Sequence, residues 1–366
     1  MMIDTIDLKY YIDCTEYPTV VRGANRFIRK RNIPGHKKML HPSERKDGRK
    51  IVTASFGDMG IQEFAVCCDQ YLMNDGSDIL ASDYYVRITA RPAVVLYPED
   101  PCALCGEDDL DRAEQEINRF IGELNQHIGY RLLPPAGEWR VTRIDYARQF
   151  RSPDYLAYLL LLKKECPVKK SRVYSALCTE KIPAEIRYWN GSITFHVYDK
   201  TVQLWEKFGY CCDGPPGSGH LLRFEDQCRG RCISGIIYKL GMDRATIRTL
   251  WDSDIADMKI RNAIRKVIGI EDFYSLSNAC RVLSEQFSER KVRDMAEFMR
   301  PGAYPKTKGN KLVSLYAERS GLSENQVKRN FIPYFHKAGV NIRILPDKWG
   351  MDYLANPLKL LGLDRK

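Results

Sequence analysis

The segment Ser192-Ile-Thr-Phe-His-Val-Tyr-Asp-Lys200 alternates apolar and polar side chains over almost its whole length. Successive side chains of a β-strand point to opposite faces, so Ile193, Phe195 and Val197 would share one face. The opposite face would carry four polar groups: Thr194, His196, Tyr198 and Lys200. The alternation predicts a strand that packs its apolar face on helices and presents a row of reactive groups on the other.

Two further segments show the same alternation and add charged groups to such a face. Trp139–Ala147 would place Arg143 and Asp145 on one side, and Leu221–Asp226 would place Arg223 and Glu225 on one side. If the three strands are neighbours, a phenol, an imidazole, an amine, two carboxylates and two guanidinium groups collect on one polar sheet face. A solvated face on which each Arg pairs with the acid two residues away is the simpler alternative.

The rest of the chain up to residue 227 mixes strand and helix patterns. Five more segments are expected to form strands: Ile3–Ile12, Ile51–Ser55, Glu63–Cys67, Tyr84–Thr89 and, after a bend at Pro92, Ala93–Tyr97. Apolar residues at helical spacing between Leu110 and Leu124 predict one helix, and Ser152-Pro153 is expected to open another, with Ser at the N-cap. The fold class predicted is α+β, an antiparallel sheet with helices on one face.

Helical periodicity dominates beyond residue 228, so we expect domains at 1–227 and 228–366. Three helices are predicted first: Asp254–Val267, Ser277–Phe287 and Glu289–Met299. Lys311–Arg319, a Ser-Gly-Leu-Ser turn and a helix from Glu324 then form a helix-turn-helix candidate, in which Ser323 and Gln326 fit a capping box. Pro333 is expected to interrupt that last helix early.

Charge and composition point to a soluble, cytoplasmic protein with a polyanionic partner. The formal net charge is +10. Residues 22–50 carry +9 and residues 228–366 carry +11, whereas the remaining residues together carry −10. Two separated basic blocks favour nucleic acid. No apolar stretch reaches the roughly 18 residues of a membrane span, and twelve cysteines without a signal peptide are expected to be reduced thiols.

Three segments together resemble a known enzyme family: residues 142–147 (TRIDYA), 195–204 (FHVYDKTVQL) and 221–229 (LLRFEDQCR). In order and spacing they are similar to the motifs of the filamentous-phage gene II/gene X replication endonucleases and, more distantly, of plasmid rolling-circle initiators. The likeness covers about residues 1–230. The chain lacks the His-hydrophobe-His pair that holds the metal in many rolling-circle nucleases.

The resemblance implies a rolling-circle nuclease-like fold and a site-specific nickase and rejoining enzyme of a phage or plasmid in a bacterial host. Tyr198 matches the tyrosine that becomes linked to the 5′-phosphate, leaving a free 3′-OH, and Lys200 matches the lysine after it. The implied partners are single-stranded or melted origin DNA, a host polymerase and a helicase, with no membrane partner.

Physical reasoning adds expectations about the metal and the DNA contacts. Carboxylates suit hard divalent ions, so Asp145 and Glu225 are expected to hold Mg²⁺ or Mn²⁺, with His196 as a third ligand or a proton shuttle. Asp145→Ala or Glu225→Ala should then abolish cleavage and leave the fold intact. Nine residues are expected to bind DNA: Arg143, Arg223, Arg29, Lys30, Arg31, Lys37, Lys38, Lys328 and Arg329.

Two other functions fit the same sequence. A DNA-binding replication initiator or repressor without nicking activity would use the helix-turn-helix and the basic blocks alone. A relaxase for conjugal transfer would use the same chemistry on another DNA target. A Tyr198 hydroxyl in the packed interior, or one far from the carboxylates of both Asp145 and Glu225, would contradict the nickase hypothesis.

Overall fold

The computed structural model describes most of the chain, and every structural statement below concerns the described residues. They are residues 2–31, 49–72, 80–129, 133–164, 172–174, 185–189, 193–209, 214–300 and 312–364. Lys37 and Lys38, two of the expected DNA contacts, lie outside them.

The protein is α+β with antiparallel strand pairing, as the alternating segments predicted. Its strands are β1 (Ile3–Ile12), β2 (Arg49–Phe56), β3 (Ile61–Leu72), β4 (Leu80–Ala90), β5 (Arg140–Ser152), β6 (Arg172–Tyr174), β7 (Glu185–Trp189), β8 (Ile193–Asp199), β9 (His220–Arg229), β10 (Phe273–Tyr274) and β11 (Tyr353–Leu354). Its helices are α1 (Tyr17–Lys30), α2 (Pro92–Leu96), α3 (Leu110–Ile128), α4 (Tyr155–Lys164), α5 (Lys200–Phe208), α6 (Arg231–Leu240), α7 (Ile247–Leu250), α8 (Ser253–Ile268), α9 (Leu276–Ser284), α10 (Glu289–Met299), α11 (Leu312–Ser320), α12 (Glu324–Ala338) and α13 (Pro357–Leu360).

The chain divides into two compact units, and each is discontinuous in sequence. The first comprises Met1–Ala147 and Gln227–Ala256, and the second Arg148–Asp226 and Asp257–Lys366. This differs from the expected division at residues 227 and 228. The chain passes from one unit to the other inside β5, inside β9 and inside α8, where periodicity continues without a break, so composition gave no sign of the boundary.

The first unit pairs its strands in the order β2-β3-β4-β1-β5, with the last residues of β9 following β5. The apolar sheet face carries Ile6 and Leu8 of β1, both fully buried. Helices α1 and α3 pack against each other, and four phenylalanines join them to the sheet with ring centroids 5.1 to 6.4 Å apart: Phe27, Phe56, Phe64 and Phe120. Burying such rings stabilises each position by about 1.5–3 kcal/mol.

A glycine sets how closely α1 approaches α3. A Cβ on Gly23 would lie 2.6 Å from the Ile128 side chain and 2.8 Å from its Cα. Only the hydrogen of a glycine fits at this crossing, because the Ile128 backbone cannot move aside as a flexible side chain could.

The second unit pairs its strands in the order β9-β8-β7-β6 beside the end of β5. Phe224 of β9 stacks on Phe150 at 5.5 Å and approaches Phe195 of β8 at 6.3 Å. A separate helical core contains Met295, Phe298, Val327, Phe331 and Phe335 among its buried residues.

Several element predictions were wrong where proline or a short local hydrogen bond decided the backbone. Ala93–Tyr97, expected as a strand, lies largely in α2, whose first residue is Pro92. Ser152 ends β5 instead of capping a helix, and its hydroxyl accepts the Asp154 amide at 3.0 Å. Pro333 lies inside α12, which continues to Ala338. No helix of the described residues is long and apolar enough to cross a membrane.

A buried ion pair in the second unit makes stability depend on pH. Asp226 is 1% exposed and lies 3.3 Å from the Lys259 ammonium. Burial raises the pKa of Asp226 to about 6, and Lys259 opposes that rise. The folded state therefore binds this proton more tightly than the unfolded chain, whose aspartate pKa is 3.8.

We expect the stability of the wild type relative to Asp226→Asn to fall as the pH rises from about 4 to 6. The change should approach about 3 kcal/mol, because each pKa unit corresponds to about 1.36 kcal/mol. Urea unfolding of both proteins at each pH measures it. Parallel curves over this range would contradict the prediction.

Candidate active-site residues

The tyrosine and one carboxylate of the predicted site are in contact. Tyr198 lies on β8 and Glu225 on β9, and the tyrosine hydroxyl donates a hydrogen bond to Glu225 Oε2 at 3.2 Å. Phe195 and Phe224 pack on the other side of the same two strands. The period-two interpretation of these segments is therefore confirmed within the second unit.

Both members of this pair are buried. Tyr198 is 7% exposed and Glu225 6%. The hydroxyl therefore lies close to one of the two expected carboxylates, but it is much less accessible than the nickase hypothesis requires.

Arg223, expected to contact DNA, is fully buried on the same strand. Its Nε and Nη2 donate to Gln149 Oε1 at 2.9 and 2.7 Å. Because a buried guanidinium must be hydrogen-bonded, this contact assigns Arg223 a packing role in the second unit. Gln149 was missed in the sequence because β5 was predicted to end at Ala147.

Lys200 does not extend the strand as predicted, because β8 ends at Asp199 and Lys200 begins α5. Asp199 caps the helix by accepting the Val202 amide at 3.1 Å. Lys200 is buried, and its ammonium donates to Gln203 Oε1 at 2.9 Å. The lysine thus lies at a helix N-terminus beside the strand that carries Tyr198.

A histidine–carboxylate pair next to this helix start was not predicted. His220 Nδ1 lies 2.6 Å from Asp199 Oδ2, and its ring stacks on Tyr155 with centroids 3.9 Å apart. The predicted strand began at Leu221, one residue later, so the sequence pattern gave no reason to join His220 to Asp199.

His196, the expected third metal ligand, faces β7 instead. Its Nδ1 lies 3.7 Å from Glu185 Oε1, which also accepts from Arg187. Strand β7 was absent from the sequence prediction, so neither partner could be foreseen.

In the first unit, Asp145 is held by Arg143, the pairing that the simpler sequence interpretation offered. Arg143 Nε donates to Asp145 Oδ1 at 2.8 Å, its Nη2 donates to Oδ2, and Gln227 Nε2 adds a contact at 3.4 Å. Asp145 has no exposed surface. Burial raises its pKa to about 6, and Arg143 opposes the rise.

Additional arginines surround this pair. Strand register places Asp7 opposite Arg143 on the same polar face. Burial lowers the pKa of Arg229, and the positive charges of Arg143 and Arg87 lower it further. Arg87 donates to Glu63 at 2.6 Å, whereas the buried Asp7 Oδ1 accepts no hydrogen bond from the described residues. Arg229 was missed because the predicted strand ended at Asp226.

The expected metal ligands do not form a ready cation site. No group of three or more His, Cys, Asp or Glu side chains suited to a metal occurs in the described part of the chain. The Arg143 guanidinium engages both Asp145 oxygens, which places a positive charge where a divalent ion would have to bind. We therefore assign no reaction step to a metal ion.

The expected DNA contacts at the end of α1 divide into two kinds. Arg29 and Lys30 are exposed in its last turn. Arg31 instead pairs with Glu123 and, at 2.9 Å, with Asp58. It thus ties α1 to neighbouring elements of the first unit.

The helix-turn-helix candidate consists of α11, a three-residue turn and α12. Gly321 opens the turn at φ +70°, and Ser323 and Gln326 form the predicted capping box. Lys328 lies 3.7 Å from Glu324 on the same helix, whereas Arg329 is exposed. The helical pair exists, and its contact with DNA stays a prediction.

Comparisons with known proteins add no family assignment. A scan against protein-family models found no match, and a search of curated proteins found none either.

Proposed function

We propose that this protein nicks one DNA strand through Tyr198 to start rolling-circle replication of a phage or plasmid, and that it rejoins strands by the reverse reaction. The observation that carries the proposal is the Tyr198–Glu225 hydrogen bond. A phenol becomes a useful nucleophile when a neighbouring base takes its proton, and Glu225 is within direct reach. The three-segment resemblance and the two basic blocks support the choice of DNA as substrate.

The proposed step conserves one phosphodiester bond. The Tyr198 oxygen attacks phosphorus while its proton passes to Glu225. The bond from phosphorus to the 3′ oxygen breaks, and that oxygen takes a proton from water or from protonated Glu225. The products are a 5′-phosphotyrosine and a free 3′-OH, which a polymerase can extend. Because no water adds to the phosphorus, the 3′-OH can attack in turn and restore the strand.

Lys200 is the proposed electrostatic partner of this step. Its ammonium and the N-terminus of α5 contribute positive charge near the strand that bears Tyr198. Positive charge stabilises both the developing phenolate and the phosphate oxygens.

DNA binding must itself make the Tyr198 hydroxyl accessible. Because Tyr198 is 7% exposed, the phosphate reaches the hydroxyl only when the polar face above it opens on binding. We therefore expect slow nicking of short oligonucleotides and faster nicking of DNA that engages the whole protein.

The direct test is covalent capture of DNA. The full chain would be incubated with supercoiled and single-stranded DNA of the replicon that encodes it, with Mg²⁺, with Mn²⁺ and with EDTA. A denaturing gel should reveal a protein–DNA adduct, and peptide mapping should locate it at Tyr198. Nicked DNA with unlinked 5′-phosphate, or an adduct on another residue, would overturn the proposal.

The burial of Tyr198 favours a second candidate, a replication initiator or repressor that binds DNA without nicking it. Its DNA contacts would come from the exposed polar side of α12, which includes Asn325, Arg329 and Asn330. These side-chain types contact bases or phosphates in recognition helices.

For this candidate, Arg329→Ala should weaken binding to duplex fragments of the replicon at least about fivefold, since one specific contact contributes about 1–3 kcal/mol. Arg319→Ala is the matched control, because Arg319 is also exposed but lies in the last turn of α11. Electrophoretic mobility shifts measure both. Equal effects of the two changes would rule out α12 as the recognition helix.

A further inference from the structure

A cavity of about 620 Å³ lies wholly within the first unit, away from Tyr198 in sequence. It is formed by the later part of β1, the start of β5, α6 and the turn that follows α6. Its lining includes Lys9, Tyr11, Trp139, Arg140, Tyr238 and Arg244. Its volume falls in the range of roughly 300–1,000 Å³ usual for ligand pockets.

Aromatic rings surround this cavity, and two of them are exposed. Tyr238 on α6 is 86% exposed and Tyr11 is 48% exposed. Tyr10 packs on the buried Trp139 with centroids 5.6 Å apart. Among the described residues the side chain of Tyr238 makes no hydrogen bond, ion pair or ring contact, so both faces of its ring are available for stacking on a ligand.

Cations surround the same opening. Arg140 and Arg244 are exposed and form no ion pair with the described carboxylates. Lys9 lies 3.9 Å from Asp69 and over the rings of Tyr85, at 3.5 Å, and Tyr11, at 4.4 Å. Two acids, Glu138 and Asp243, also line the cavity, so Arg140 and Arg244 rather than a net positive charge are the groups available to phosphates. Rings for stacking beside cations for phosphates are the combination that single-stranded nucleic acid requires.

We propose that this cavity takes an unpaired base of single-stranded DNA, with the base stacked on Tyr238 and the neighbouring phosphates held by Arg140 and Arg244. A paired base is stacked inside its duplex and cannot enter. The inference rests on the proposed function only in taking single-stranded DNA as the ligand. It adds a binding site for the strand that is separate in sequence from Tyr198.

The test compares two single strands that differ only in their bases. One is a fluorescent thymidine oligonucleotide about 16 nucleotides long, and the other has the same phosphates and abasic sugars. All proteins carry Tyr198→Phe so that no strand is cut. We expect Tyr238→Ala to weaken binding of the thymidine strand about 10-fold and to leave the abasic strand unchanged, since one stacked base contributes about 1–3 kcal/mol.

Tyr238→Phe is the matched control, because it keeps the ring and removes only the hydroxyl, and binding should stay within about twofold of the parent. Arg244→Ala should weaken both strands equally. The proposal is overturned if the parent fails to prefer the thymidine strand, if Tyr238→Ala lowers affinity for both strands alike, or if it changes neither, as it would where an apolar peptide is the true ligand. These binding measurements do not depend on nicking. They therefore test the cavity even if the adduct assay detects no covalent product.

Discussion

Tyr198→Phe should lower nicking and adduct formation by at least about 1,000-fold, because phenylalanine has no oxygen to attack phosphorus. The change removes one hydroxyl and its hydrogen bond to Glu225. We expect DNA binding to be retained and stability to fall by only about 1 kcal/mol, the usual contribution of one buried hydrogen bond. A gel assay of cleavage and a filter-binding assay of the same protein separate the two effects.

Tyr188→Phe is the matched control for this prediction. Tyr188 is also buried, lies on the adjacent strand β7, and donates its hydroxyl to the Leu162 carbonyl. Loss of the Tyr188 hydroxyl should lower the free energy of unfolding by a similar amount and leave nicking unchanged. Glu225→Gln should keep a hydrogen-bond partner for Tyr198 but lose the base, slowing nicking by about 100- to 10,000-fold. Full activity of Tyr198→Phe would end the nickase proposal.

Asp145→Ala is expected to destabilise the first unit by about 3–5 kcal/mol, the usual result of removing one partner of a buried pair. The change leaves the Arg143 guanidinium without the carboxylate that it engages through two nitrogens. This outcome differs from the sequence-based expectation that the variant keeps its fold intact, which assumed a carboxylate open to a metal ion. Thermal and urea unfolding measure the loss.

The double variant Arg143→Met/Asp145→Leu tests the cause. Replacing both charges by apolar side chains removes the unpaired guanidinium, so most of the lost stability should return. If the double variant is as unstable as Asp145→Ala, or if Asp145→Ala unfolds like the wild type, the ion pair does not hold this part of the sheet together.

Side-chain periodicity alone predicted the fold class and the face on which Tyr198 and Glu225 meet. A two-residue period leaves no choice about which residues share a strand face once one face is apolar. Strand β1 and helix α10 match the predicted bounds, because Ile3–Ile12 and Glu289–Met299 carry complete local patterns.

Only the tertiary structure decided how accessible those groups are and what each one contacts. The sequence could not indicate that Tyr198 is buried or that His220 pairs with Asp199, and it offered the Arg143–Asp145 pair only as one of two alternatives. The His220–Asp199 contact joins residues that are 21 positions apart in the chain. The free energy of such contacts depends on burial and distance, and neither quantity is encoded in the local pattern that sets a strand or a helix.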